Sequence, residues 1–130
     1  MKTDDRLLRL ALRGNATFSL FSGLVLVIFN GAIRDLMGIE PSWLLPAVGG
    51  GLALFALDLI RTAAGPRIDA RKAWAIVLMD AGWVAGSAGL VALGILTSTG
   101  HWIVVGVALV VADFALLQYA GLRRLARQAA

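Results

Sequence analysis

Four long apolar runs dominate the 130-residue chain. They cover about residues 15–33, 43–60, 73–96 and 102–122, with short polar stretches between them. A helix that crosses a membrane needs ~20 mostly apolar residues. Lipid offers no partner to a free backbone N–H or C=O, so a crossing segment must be a helix or part of a closed barrel. Barrel strands alternate over ~10 residues, whereas these runs are longer and do not alternate. The pattern predicts an all-α fold, a four-helix transmembrane bundle in which residues 1–130 form one integral membrane domain.

Composition agrees. The chain is 59% hydrophobic and 15% charged, with mean hydropathy +0.83, against roughly 45–50% and about 25% in soluble domains. That argues against a soluble enzyme and against disorder. There is no cysteine, hence no disulfide framework, thiolate nucleophile or cysteine-based zinc site. The net charge of +4 reads as topology. Lys2, Arg6, Arg9 and Arg13 precede the first run, Arg61, Arg67, Arg71 and Lys72 separate the second from the third, and Arg123, Arg124 and Arg127 follow the fourth. The other two connections hold only Arg34. The positive-inside rule then gives an up-down-up-down bundle with both termini and the middle loop cytoplasmic. A bacterial inner (plasma) membrane is the expected location and the lipid bilayer the first partner. No basic stripe interleaved with aromatics points to nucleic acid.

The first run is longer than a signal-peptide core, and Phe29-Asn30-Gly31-Ala32-Ile33-Arg34 is a poor cleavage site. Residues 1–13 read as a short interfacial helix leading into the first span. Residues 34–43 read as a loop along the outer face, with Ser42 capping the second helix and Pro46 in its first turn. Trp43, Trp74 and Trp102 fall near helix ends, where indole favours the headgroup region. Trp83 lies deeper and reads as packing inside the bundle.

Ionisable groups within spans are expensive and mark candidate sites. Asp58, Asp80 and Asp113 each fall in a different span. At ~1.5 Å per residue, Asp58 lies ~5 Å from Arg61, Asp80 ~12 Å from Lys72 and Asp113 ~15 Å from Arg123. Three carboxylates can therefore converge on a cavity open toward the cytoplasm. Asn15, Ser19 and Ser22 form a polar stripe on the first helix, and Ser87 shares a face with Asp80. Gly51 and Thr62 share a stripe with Asp58, and Gly106 and Ala120 with Asp113, as small residues do at helix contacts in membranes. The plainer reading pairs Asp58 with Arg61 and makes Asp80 and Asp113 hydrogen-bond partners of Asn15, Ser19, Ser87 or Arg13.

Gly82, Gly86 and Gly89 suit close helix packing, within the bundle or between two copies. Gly49-Gly50-Gly51 marks a kink or a close contact. His101 is the only histidine and reads as a loop residue. No motif for a phosphate loop, a metalloprotease or a serine hydrolase occurs, and any cofactor is unknown from the sequence. Leu57-Asp58-Leu59 and Ala112-Asp113-Phe114 occupy similar places in two spans and hint at an internal repeat.

The stretch Leu10-Ala11-Leu12-Arg13-Gly14-Asn15-Ala16-Thr17-Phe18-Ser19 followed by Gly23, together with Leu54-Phe55-Ala56-Leu57-Asp58 before a basic loop, resembles small uncharacterised bacterial four-span membrane proteins. The layout is similar to that of the DoxX-like families. The resemblance implies the four-span layout and no particular activity. Small multidrug transporters differ, because their essential glutamate lies in the first helix and this first span has no acid.

Two functions compete. One is an aspartate-lined polar cavity, with Asp113, Asp80, Asp58, Asn15, Ser19 and Ser87 binding or transporting a proton, cation or amphipathic small molecule. The other is an accessory or structural subunit of a larger membrane complex. A membrane enzyme using aspartates as acid and base lacks any nucleophile or metal site in the sequence. A homodimer or a membrane-complex partner is the expected assembly.

Overall fold

A computed structural model describes residues 5–129; Lys2 lies outside them. Five helices form among the described residues: α1 Arg6–Ile28, α2 Asn30–Met37, α3 Leu44–Ala64, α4 Ala70–Leu93 and α5 Ser98–Ala129. No strand occurs among the described residues. α1, α3, α4 and α5 are each long and apolar enough to cross a membrane. The shortest, α3, has 21 residues, about 31 Å at 1.5 Å per residue, against a hydrocarbon core of ~30 Å. The protein is a multi-pass membrane protein.

Several boundaries differ from the sequence reading. The expected interfacial stretch is no separate element: from Arg6 onward it is the first turns of α1. Leu8, Ala11, Leu12, Asn15, Ala16, Ser19 and Gly23 make a continuous buried stripe, and nothing between them interrupts it. The first span then ends at Ile28, and Asn30–Met37, expected as the end of that span and an outer loop, form α2. Trp43, not Ser42, precedes the first helical residue of α3, and it makes no side-chain cap hydrogen bond.

α2 is anchored through Thr97, the residue before α5. Its hydroxyl donates to the Leu36 carbonyl at 2.6 Å and accepts from the Gly100 N–H at 3.0 Å, and its own N–H donates to the Met37 carbonyl at 3.1 Å. One residue thus caps the start of α5 and satisfies two carbonyls that a helix end leaves free.

α3 packs against α1, α1 against α5, and α5 against α4, while α3 and α4 barely meet. The α1–α3 contact is close because Gly23 faces Gly49. A Cβ on Gly23 would lie 2.6 Å from the Gly49 carbonyl oxygen, and one on Gly49 would lie 2.7 Å from that of Gly23. Gly49 is therefore the close contact in the triple glycine, and Gly50 and Gly51 have open space beside them. Gly82, Gly86 and Gly89 do not serve packing within the bundle, because nothing lies within 4 Å of where their Cβ atoms would be. The buried core sits toward the basic end. Leu8, Leu12, Leu59, Ala63, Ile76 and Leu122 belong to it, and no residue of α4 beyond Asp80 is buried. Above that level α4 leaves the core, while α1 and α3 stay in contact.

Lipid tails are as apolar as leucine, so close backbone contact replaces the hydrophobic drive between spans. Gly23→Ala should push α1 and α3 apart and cost about 1–3 kcal/mol, the usual range for overpacking. Gly82→Ala should be neutral or slightly stabilising, because it meets no neighbour. Thermal unfolding of both variants in detergent checks this; equal melting temperatures would contradict the packing described.

Candidate functional site

Where α4 leaves the core, four polar side chains are buried together. Asn15 and Ser19 come from α1, Asp80 from α4 and Gln118 from α5, none more than 4% exposed. The Asn15 amide Nδ2 donates to Asp80 Oδ2 at 2.8 Å and to Gln118 Oε1 at 2.9 Å. Gln118 Nε2 donates to the same Asp80 Oδ2 at 2.8 Å. Ser19 Oγ donates to Asn15 Oδ1 at 3.1 Å. Three helices are thereby closed into one ring of hydrogen bonds.

Donor chemistry decides how each amide is turned. A carboxylate only accepts, so both amides must present NH2 to Asp80. That leaves Asn15 a second N–H for the Gln118 carbonyl, and its own carbonyl for Ser19. Both Asn15 amide protons are then used, and its oxygen is engaged once. Asp80 Oδ1 takes neither amide.

Beside this ring lies a cavity of about 270 Å³. Asp80, Ser19 and Ser22 are polar groups on its wall; Phe18, Phe55, Val107 and Val111 are among its apolar ones. Trp83, one turn beyond Asp80 on α4, also lines it. The indole Nε1 is buried and has no hydrogen-bond partner among the described residues. A buried donor left unpaired costs about 1–3 kcal/mol. Gly51 of α3 and Met79 of α4, both exposed, line the cavity on facing helices, so it opens sideways between α3 and α4. Below that opening Lys72 Nζ pairs with Asp58 Oδ1 at 2.6 Å and ties the two helices together.

The sequence-based candidates divide. Asn15, Ser19 and Asp80 come together as the polar stripe suggested. Asp58 does not join them: it is half-buried and paired across to Lys72 rather than to Arg61. Asp113 does not join them either. It lies two residues from buried Val111, about 200° around the helix, and is exposed on the outside of the bundle. Gly106, on the same stripe, also faces open space. The three aspartates do not converge, and Asp58 and Asp113 are not structural equivalents in a repeat. Ser87 lies outside the cavity lining.

Gln118 was missed by sequence reasoning, which followed charges. The available signal was an amide inside the fourth apolar run, able to give and accept hydrogen bonds where lipid offers neither. Trp83 was placed inside the bundle, but its unpaired N–H was not foreseeable. No protein-family model, no curated protein and no solved structure matches this chain.

Replacing Gln118 with Leu removes one donor to Asp80 and the acceptor of Asn15, which should cost about 1–3 kcal/mol. Lys72→Met, which breaks a half-exposed pair, should cost no more than about 1 kcal/mol. Melting temperatures in detergent compare the two, and a larger loss in Lys72→Met would reverse this ranking.

Proposed function

We propose that this protein binds an amphipathic small molecule within the membrane, in the cavity between its four spans. The observation that carries this reading is the pairing of apolar walls with two polar groups one turn apart. Asp80 Oδ1 takes no amide hydrogen bond, and the Trp83 N–H has no partner. One group accepts and the other donates. A head that does both, a hydroxyl or an amide, satisfies them together, and an apolar tail fits the rest.

Size and access support the same class. The volume of about 270 Å³ lies at the lower edge of small-molecule sites, ~300–1,000 Å³. A small amphiphile fits it, and a whole lipid does not. The opening between α3 and α4 faces the bilayer, where such molecules partition. A metal ion fits less well, because no group of three His, Cys, Asp or Glu gathers among the described residues. In this reading the basic end is cytoplasmic by the positive-inside rule. The bundle then runs up-down-up-down in the plasma membrane, and Asp80 lies in its cytoplasmic half.

Gently extracted protein should retain a small mass in native mass spectrometry. Gly51→Leu has room at the opening and touches no hydrogen bond of the ring. It should abolish that mass while keeping the melting temperature. Trp83→Phe should leave the empty protein as stable, because the N–H it deletes is unpaired there. It should weaken binding roughly tenfold, the worth of about one hydrogen bond. If no small mass is retained by the wild type, or if Gly51→Leu retains it fully, the proposal fails.

A further inference from the structure

Two opposite charges stand on the outside of the bundle without partners among the described residues. Arg13 of α1 and Asp113 of α5 are both exposed. Neither side chain has an ion pair or hydrogen bond among the described residues. Each lies two residues from a buried position, Asn15 and Val111, about 200° around its helix. Both therefore point away from the cavity.

Their depths nearly coincide. A Cβ on Gly14 would lie 2.9 Å from the Phe114 ring, and one on Gly121 would lie 2.9 Å from Leu8. α1 and α5 thus run antiparallel, and Arg13 and Asp113 are the residues immediately before one contact pair. At ~1.5 Å per residue their depths differ by only ~3 Å. Arg13 can extend its long chain toward the membrane surface. Asp113 cannot, and a carboxylate facing lipid well inside a span is costly. The α1–α5 face needs a cover that brings a cation to the depth of Asp113.

A second copy of this chain does so. A two-fold axis along the membrane normal preserves depth. It sets Arg13 of each copy opposite Asp113 of the other, so one self-complementary contact neutralises both charges. The same face carries Leu10, Thr17 and Phe21 on α1 and Gly106 and Leu117 on α5, all exposed. Nothing lies within 4 Å of a Cβ built on Gly106, and such small residues let spans approach closely. The geometry points to a homodimer formed through the outer α1–α5 face and held by reciprocal Arg13–Asp113 pairs. The glycine stripe of α4 offers no charge and is the natural control.

The chain has no cysteine, so introduced cysteines report without background. Thr17 lies four residues past Arg13 and Leu109 four before Asp113, at matching depths across the seam. Thr17→Cys combined with Leu109→Cys, in the full chain in lipid vesicles under mild oxidation, should yield a covalent dimer. Gly86→Cys should not. In the cysteine-free protein, Asp113→Asn and Arg13→Gln should each weaken dimerisation at least roughly thirtyfold by native mass spectrometry, the low end for one lost partner of a desolvated pair. The double variant should be no weaker than either single one. A monomeric Thr17→Cys/Leu109→Cys protein would overturn the proposal. So would a covalent dimer through Gly86→Cys, dimer strength indifferent to both neutralisations, or a different polypeptide occupying this face.

Discussion

The bundle depends on a carboxylate that cannot be left alone. Asp80 is 4% exposed inside a membrane-spanning helix, where water is absent and lipid supplies no donor. Its two amide donors come from two other helices, so satisfying one side chain fixes three spans relative to one another. Spans feel little hydrophobic attraction for each other in lipid. Directional bonds therefore carry much of the specificity that apolar packing carries in water. The position of α4 follows from this ring, from the edge-to-face contact of Trp74 with Tyr119, and from the Lys72–Asp58 pair.

α3 is held differently. It contributes nothing to the ring and rests on α1 through the mutual approach of Gly23 and Gly49. It is also held through Arg9, whose guanidinium donates to the carbonyls of Ala63, Gly65 and Pro66. The two modes explain the shape of the interior. α1 is the shared element, α3 and α5 lie against it, and α4 meets α1 through side chains, the Asn15–Asp80 bond and the shared apolar core. The gap between α3 and α4 is what remains when these constraints are met, and the cavity occupies it.

The spans were legible because bilayer thickness sets a length and lipid excludes charge; both act along the chain and leave a one-dimensional trace. The meeting of Asn15 with Asp80, and of Ser19 with Asn15, was legible because few polar residues occur at that depth. Direction around each helix was not. Inside and outside are equally apolar here, so the usual contrast between a wet face and a dry face is missing. Asp113 was misjudged for that reason: its depth was readable and its bearing was not. For Asp58, read as a cavity residue or as the partner of Arg61, sequence shows only the near neighbour, while Lys72 reaches it from the next helix. Gln118 escaped notice because an uncharged amide barely alters an apolar run.

The Arg9 contacts have a consequence for the order in which the chain is made. Synthesis runs from the N-terminus, and every group that joins α1 to α3 lies before residue 67: Arg9, Gly23, Gly49 and the three carbonyls it grips. This hairpin can close before α4 and α5 enter the membrane. Asn15 is then already in the membrane, with Ser19 on its carbonyl and both amide protons unclaimed. It waits first for Asp80, and then for Gln118, 38 positions later in the chain. The unspent amide acts as a docking signal, which each arriving span answers with the one side chain in its apolar length placed to meet it.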